Sequence, residues 1–269
     1  MNIYIEAGRA NKLYIKDLWE YRELFWILAK RDILVRYKQT ALGIIWAIIQ
    51  PLMTMAVFTV VFGKIAQMPS DGVPYSLLVM AGTLPWQFFA AIVNSGGGAL
   101  IGNQALISKV YFPRLIIPTS CVVTAGVDFL ISCAIAAALF VYHGYLPHWQ
   151  IVFTPFFMLG MAVLALGAGY FIASINVKYR DFKYVIPFLI QAGLYVSPVG
   201  FTSSSIPEKW RFLYTLNPVA GFIDGIRWCL YGTPVNWAAV ASAAAVAAVT
   251  LIIGFFSFRK METEFADFI

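Results

Sequence analysis

Residues Arg36–Gly63 read RYKQTALGIIWAIIQPLMTMAVFTVVFG, and this stretch decides the fold. Two cations, Arg36 and Lys38, stand at its start, and no charged residue follows before Gly63. A helix of about 20 apolar residues crosses a bilayer core about 30 Å thick. We therefore predict a membrane span over residues 41–63 that begins beside its cations.

One face of this span is polar and aromatic. The residues involved recur at every fourth position, which places them on one side of a helix. Lipid cannot satisfy their polar groups, so the face must meet protein, water or a substrate. Lining of a transport path and contact with a second subunit are both open interpretations. The four residues are Trp46, Gln50, Thr54 and Phe58.

The composition is that of a polytopic membrane protein. Of the 269 residues, 61% are hydrophobic and 12% are charged, whereas a soluble domain has about 25% charged residues. The net charge of +6 does not indicate nucleic-acid binding, because the cations stand beside apolar runs rather than in a dense basic tract. The three cysteines form no CxxC motif, so neither a disulfide framework nor a metal site is predicted.

Hydrophobic runs predict an all-α fold of six transmembrane helices. A cytosolic N-terminal segment, 1–40, precedes the membrane domain 41–258, and a cytosolic tail, 259–269, follows it. With the N-terminus inside, fifteen of the nineteen Lys and Arg residues fall on inner segments, so the positive-inside rule places both termini in the cytoplasm. The spans are predicted at about 41–63, 75–101, 117–142, 149–175, 184–200 and 236–258.

The N-terminal segment contains a predicted amphipathic helix, Asp17–Arg31. Its acidic residues come early and its basic residues late, which suits the helix dipole. Such a helix lies in the membrane interface, where it either anchors the chain or also positions a cytosolic partner. The apolar face consists of Leu18, Tyr21, Phe25 and Leu28.

Two further spans carry polar faces. In span 2 the polar side chains form a seam along one side of the helix, and in span 5 they alternate with aromatic rings. For the span 5 face, lining of a pore and packing against other helices are both open. The seam of span 2 is Ser76, Thr83, Gln87 and Asn94, and the face of span 5 is Tyr184, Phe188, Gln191 and Tyr195.

Asp128 is the single acidic residue deep within a predicted span. Exposing a carboxylate to lipid there costs at least about 2.5 kcal/mol, so the side chain must face protein or water. A proton relay is one interpretation, but an isolated carboxylate offers no second relay group. We favour a structural role, with bonds to Thr124 and Ser132 on the same face or to a nearby cation.

The segments between spans carry local signals. The run Gly96–Gly98 predicts a weak end to span 2, and residues 102–118 predict a short cytosolic helix. Residues 201–235 are too apolar for an ordinary loop, and Pro and Gly interrupt them too often for a span. We predict a re-entrant hairpin of two half-helices there, at Pro207–Leu216 and Val219–Tyr231.

The sequence has no catalytic constellation. It contains no GxxxxGK[ST] phosphate loop, no HExxH and no GxSxG. It also lacks a pair of intramembrane carboxylates that could couple transport to protons or sodium. Faces that combine aromatic rings with amides and hydroxyls suit sugars, because rings stack on apolar sugar faces while the polar groups bond to sugar hydroxyls. A transporter of this kind needs a partner that supplies energy.

Four motifs occur in order along the chain: RYKQTALGIIWAIIQPL with VFGKI, then LISKVYFPR, NVKYRDFKYVIPFLIQAGLYVSPVGF and LNPVAGFIDGIRW. Together they resemble the permease subunits of bacterial ATP-binding-cassette (ABC) polysaccharide exporters of the type-2 permease class. That class includes exporters of O-antigen, capsule and teichoic acid. The resemblance runs from about Leu18 to Phe258.

The resemblance implies a homodimer of six-span subunits in the bacterial inner membrane, surrounded by lipid. Each subunit pairs with a separate cytosolic ATPase, which holds the ATP and Mg²⁺, while this chain carries no cofactor. The substrate is a lipid-linked polysaccharide. The two faces of spans 1 and 5 would line its path, with the half-helices gating the outer end. The implied gate residues are Pro198, Pro207, Trp210, Asn217, Pro218 and Arg227.

The resemblance also implies where the ATPase docks. The helix Asp17–Arg31 would touch the ATPase, and the segment Asn103–Arg114 would be the coupling helix, assisted by the loop after span 4. The implied coupling residues are Glu20, Glu23, Arg31, Asn103, Lys109, Tyr111, Arg114, Tyr179, Arg180 and Asp181.

Two other functional classes fit the sequence less well. An ABC-type permease for drugs or small lipids shares the broad architecture, but the aromatic-polar faces favour a glycan. A secondary transporter or a membrane-embedded enzyme is disfavoured, because Asp128 has no acidic or basic companion within the spans.

Overall fold

The computed structural model describes residues 14–38, 43–179 and 181–262. Within these ranges the chain is helical throughout its regular structure and contains no strand. The predicted all-α class is therefore confirmed.

The helices follow one another with short connections. The longest are separated by turns or by short helices that do not reach across the bundle. In chain order they are α1 (Tyr14–Glu20), α2 (Arg22–Lys38), α3 (Gly43–Phe58, continued by a π-helix Thr59–Ile65), α4 (Tyr75–Gly102), α5 (Gln104–Ile107), α6 (Ile116–Tyr142), α7 (Thr154–Lys178, after a 3₁₀ turn Trp149–Phe153), α8 (Phe182–Val196), α9 (Glu208–Thr215, after a 3₁₀ turn Ser203–Ser205), α10 (Pro218–Tyr231) and α11 (Trp237–Glu262).

Five helical stretches in the described part of the chain are long and apolar enough to cross a membrane. They are Ile44–Ile65, Tyr75–Gly102, Ile116–Tyr142, Trp149–Lys178 and Trp237–Glu262. The helix of predicted span 5, α8, has 15 residues. At 1.5 Å per residue it extends about 22 Å, which is less than the thickness of a bilayer core.

The core of the bundle is formed by α4 and α7, with α6, α10 and α11 packed around them. The backbones of α7 and α11 approach closely at two glycines. A Cβ on Gly254 would lie 2.1 Å from the Gly167 carbonyl oxygen. Small residues permit this contact between apolar helices, where packing rather than water drives association.

We predicted that the run Gly96–Gly98 would weaken the end of span 2. In the structure these glycines lie inside the continuous helix α4. The reason is tertiary: the Asn176 side chain of α7 donates to the Gly97 carbonyl oxygen at 2.7 Å. Gly169 of α7 lies against Gly96. The glycines cost helix propensity, and close packing with α7 offsets that cost.

The N-terminal helix differs from the prediction in extent. It is interrupted at Tyr21, and its second part, α2, continues to Lys38. Its location in the membrane interface stays a prediction, but the structure gives the contacts of its apolar face. In the structure this face packs against protein: Leu28 is buried in a cluster with Phe112 and Ile116, and Leu18, Tyr21 and Phe25 pack around that cluster.

The connections also differ in detail. The predicted helix over 102–118 is a single turn, Gln104–Ile107. Residues 109–115 are not helical, and α6 begins at Ile116, before Pro118. The two half-helices predicted in 201–235 are present as α9 and α10. α10 has well-marked ends: the Asn217 side chain accepts from the Val219 amide at 3.1 Å, and Gly232 closes it with φ of +66°.

Candidate substrate cavity and coupling surface

A cavity of about 670 Å³ lies between α3, α4, α6 and α8. Amide and hydroxyl side chains line it beside aromatic rings. It brings together five of the predicted path residues from two helices: Gln50, Thr54 and Phe58 of α3 with Gln191 and Tyr195 of α8.

The cavity is also lined by residues that the sequence analysis did not assign to the substrate path. Three members of the polar seam of span 2, Thr83, Gln87 and Asn94, line the same space. Their shared helical face was visible in the sequence, but nothing in the sequence indicated that it opposes spans 1 and 5. The seam therefore belongs with the candidate site.

Three predicted path residues do not line the cavity. Trp46, Tyr184 and Phe188 point outward from the chain and are 61%, 77% and 70% exposed. They share helical faces with cavity residues, but a face spans more of the helix circumference than one cavity covers. In a single chain these rings are available to lipid or to another subunit.

Aromatic rings form part of the cavity wall. The rings of Phe58 and Tyr195 stack with their centroids 6.0 Å apart, which joins α3 to α8. Trp86 of α4 lines the cavity and packs against Gly193 of α8. Such a wall offers flat apolar surfaces to a ligand, and the adjoining amides offer donors and acceptors.

Another part of the cavity wall is charged. Asp128 of α6 forms an ion pair with Arg36 of α2, with Oδ2 2.7 Å from Nη2. The hydroxyl of Tyr37 donates to the other oxygen, Oδ1. We call Arg36, Tyr37 and Asp128 the α2–α6 clasp. The partners of Asp128 are thus a cation and a phenol from α2, in addition to the Ser132 hydroxyl, which donates to the Asp128 backbone carbonyl at 3.0 Å.

The Tyr37 hydroxyl keeps its proton under physiological conditions. Burial raises the pKa of Tyr37 above its usual value, and the bond to the Asp128 carboxylate raises it further. Tyr37 is therefore a hydrogen-bond donor to Asp128 and not a second anion.

Arg227 is a buried hydrogen-bond donor at the end of the bundle that contains α9 and α10. It is 4% exposed, and its guanidinium donates to the carbonyl oxygens of Phe201 at 2.9 Å, Val199 at 3.3 Å and Leu78 at 3.4 Å. The Asp224 carboxylate lies 3.8 Å away. Arg227 thus connects α10 to α4 and to the segment that precedes α9.

The other predicted gate residues surround this network. Asn217 caps α10 and also donates to the Ser197 hydroxyl at 3.1 Å. Pro218 occupies the first position of α10, and Pro198 is buried, whereas Pro207 and Trp210 are exposed. A cleft of about 420 Å³ separates α9 from α10 and the start of α4.

Most of the predicted coupling residues lie on the surface at the opposite end. Two of them are engaged within the chain: Asn103 donates to the Ala99 carbonyl at 2.8 Å, and Arg114 bonds to Glu262 of α11. Arg31 is exposed and pairs with Asp32 at 2.7 Å. Arg180 lies outside the described residues. The exposed residues are Glu20, Glu23, Lys109, Tyr111, Tyr179 and Asp181.

The family model of the ABC-2 type transporter matches residues 23–231. This chain belongs to the ABC-2 type transporter family. The match contains α2 through α10, and therefore includes the cavity, the α2–α6 clasp and the Arg227 network. The class of permease that the motifs resembled is confirmed.

Several relatives align over nearly their whole length. The chain is 28% identical to the O-antigen export system permease protein RfbA of Myxococcus xanthus, over 94% of this chain and 98% of that protein. It is 27% identical to a protein of the same name from Klebsiella pneumoniae, over 91% and 94%. It is 22% identical to the polysialic acid transport protein KpsM of Escherichia coli, over 86% and 91%.

Proposed function

We propose that this chain is the membrane-spanning permease subunit of an ATP-driven exporter, and that its substrate is a lipid-linked polysaccharide. The similar proteins are named for O-antigen export and polysialic acid transport. In this proposal the chain performs no catalysis of its own. A cytosolic ATPase subunit binds ATP and Mg²⁺ and supplies the energy.

The observation that carries the proposal is the lining of the cavity between α3, α4, α6 and α8. Amide groups of Gln50, Gln87 and Gln191 can donate to and accept from sugar hydroxyls. Phe58 and Tyr195 offer ring surfaces for the apolar faces of a sugar. Because Arg36 and Asp128 are the only charged residues in the described part of the lining, neutral sugar units meet no array of fixed charges there that would retain them.

The proposal includes a homodimer. In a single chain α3 is mostly exposed, and Pro51 and Phe58 are the buried residues in its described part. Trp46 and Phe188 lie on exposed faces next to the cavity. A second copy packed against α3 and α8 would cover these rings and enclose the path, with lipid around the remaining surface.

The membrane arrangement is part of the same proposal. α8 together with the buried segment 197–200 would complete a sixth span, and α9 with α10 would form the re-entrant outer gate. The cation distribution supports an inner-membrane protein with both termini in the cytoplasm. α1, the start of α2 and the exposed residues Lys109 and Tyr111 would then face the ATPase.

The test replaces the chromosomal gene of the source bacterium with a tagged copy. Surface polysaccharide is measured on intact cells by periodate oxidation of vicinal diols followed by hydrazide labelling. Inactivating the Walker lysine of the co-purifying ATPase should abolish surface label and accumulate lipid-linked polysaccharide in spheroplasts. Unchanged surface label in those cells would refute the proposal. Loss of resistance to hydrophobic drugs with intact surface label would instead favour a drug or small-lipid permease.

A further inference from the structure

The α2–α6 clasp joins the N-terminal part of the chain to the wall of the cavity. Both oxygens of the Asp128 carboxylate are engaged, Oδ2 by the Arg36 guanidinium at 2.7 Å and Oδ1 by the Tyr37 hydroxyl. The two partners are consecutive residues at the last turn of α2. One acidic side chain therefore holds the end of one helix against the middle of another.

The depth of the clasp is unusual for a charged contact. Asp128 comes twelve residues after Ile116, the first residue of α6. At 1.5 Å per residue this is about 18 Å along a helix that can cross the membrane. A charge at the centre of a membrane helix costs about 2.5–3.5 kcal/mol, and such residues generally have a function.

Attachment of α2 does not require a charged contact. Leu28 and Ala29, two turns earlier in α2, are 3% and 1% exposed, and Leu28 shares a buried cluster with the start of α6. These apolar contacts already hold the first half of α2 against α6. The ion pair adds an orientation-dependent link at the end of α2, with a specific geometry that apolar packing lacks.

The clasp is part of the cavity wall. Arg36 and Asp128 line the same space as Gln50 and Thr54 of α3. Only four residues, 39–42, separate the end of α2 from the start of α3. Because a chain extends by at most about 3.6 Å per residue, these four residues limit how far the end of α2 can move from the start of α3.

We propose that Asp128 is a positioning residue for transport: through Arg36 and Tyr37 it fixes the end of α2 to α6, so that a movement of α2 changes the cavity wall. This inference rests on the proposed export function, in which the exposed surface near Glu20 and Glu23 meets the ATPase. Asp128 itself exchanges no proton with the substrate and binds no ion. Its contribution is the efficiency with which ATP hydrolysis is converted into export.

The experiment compares export with ATP hydrolysis in the same variants. Surface polysaccharide is measured on intact cells as above, and ATP hydrolysis is measured on the purified permease–ATPase complex in nanodiscs. For Asp128→Asn we expect hydrolysis within about twofold of the wild type and export reduced at least tenfold. The charge-swapped double variant, Arg36→Asp with Asp128→Arg, should export several-fold better than either single variant.

Glu208→Gln is the matched control. Glu208 also pairs with an arginine, Arg211 at 3.6 Å, but both side chains are exposed and lie one turn apart on the same helix, α9. We expect wild-type export and hydrolysis from this variant, provided that its amount in the membrane is unchanged.

The outcomes separate the inference from the proposed function. Wild-type export by Asp128→Asn would overturn the inference while leaving the export function intact. A parallel loss of hydrolysis and export, without rescue in the swapped variant, would also overturn it, because Asp128 would then serve folding or assembly alone. Absence of export by the wild-type complex would refute the proposed function itself.

Discussion

Two arginine–aspartate pairs of this permease are built in opposite ways. Arg36 and Asp128 come from distant parts of the sequence, lie 2.7 Å apart and are 44% and 20% exposed. Arg227 and Asp224 lie one turn apart on α10, 3.8 Å from each other, and Arg227 is almost fully buried. The first pair connects two helices through the carboxylate, whereas the second arginine is held mainly by backbone carbonyls.

The difference indicates different roles. An ion pair that lies at a cavity wall is partly solvated, so its net contribution to the stability of the fold is small. A buried guanidinium bonded to three carbonyls cannot leave without exposing all of them unsatisfied. We therefore expect the α2–α6 clasp to govern transport and the Arg227 network to govern folding of the α9–α10 region.

Replacing Arg227 should produce the largest effect. Arg227→Met leaves the carbonyls of Phe201, Val199 and Leu78 without a donor and Asp224 without its cation. Removing one partner of a buried charged pair costs about 3–5 kcal/mol. We expect a large fall in the Tm of the detergent-solubilised protein and little protein in the membrane. Arg211→Met is the control, because Arg211 is exposed and pairs with Glu208 at 3.6 Å; equal shifts for the two variants would contradict the comparison.

A pair of tyrosine substitutions should separate the two roles. Tyr231 donates to the Leu77 carbonyl at 2.7 Å beside Arg227, and Tyr37 donates to Asp128 in the clasp. Each Tyr→Phe change removes one hydrogen bond, which is worth about 1 kcal/mol. Tyr231→Phe should lower Tm by a few degrees and leave export per molecule unchanged. Tyr37→Phe should lower export per molecule several-fold with a smaller change in Tm. A loss of export per molecule in Tyr231→Phe, together with the larger fall in Tm in Tyr37→Phe, would contradict the roles that we assign to the Arg227 network and the α2–α6 clasp.

The smallest effect is expected at the rim of the cleft beside α9. Ser204 is exposed and donates to the Asp71 carboxylate at 3.2 Å. A solvated contact of this kind contributes little, and Ser204→Ala should change stability by no more than about 0.5 kcal/mol. Thermal unfolding in detergent measures this directly. A shift as large as that of Tyr231→Phe would show that the Arg227 network extends to the surface.

Much of the architecture could be predicted from hydrophobic runs and helical spacing. The all-α class followed from runs too long and too apolar for a soluble domain, and the motifs placed the chain in its family. Gly96–Gly98 remains helical because contacts with α7 outweigh the low helix propensity of glycine. The apolar face of α2 packs against the start of α6, and the period of one helix does not indicate which surface its apolar face meets.

The candidate site was predictable only in part. The spacing of Gln50, Thr54 and Phe58 identified one polar face correctly, but the same spacing also selected Trp46, which lies outside the cavity. The expected partners of Asp128 were the hydroxyls of Thr124 and Ser132 or a nearby cation, and the sequence did not identify that cation. Arg36 is separated from Asp128 by 92 positions, and no local pattern links the two.

The sequence by itself determined that this chain is a helical membrane protein and which side of each helix is polar. The physical reason is local: backbone groups in lipid must bond within their own helix, and the helical period then assigns each side chain to a face. The tertiary structure alone decided which faces meet. Gln50, Asn94 and Gln191 line one cavity because three helices are rotated toward each other by packing, and the period within one helix carries no information about its rotation relative to another.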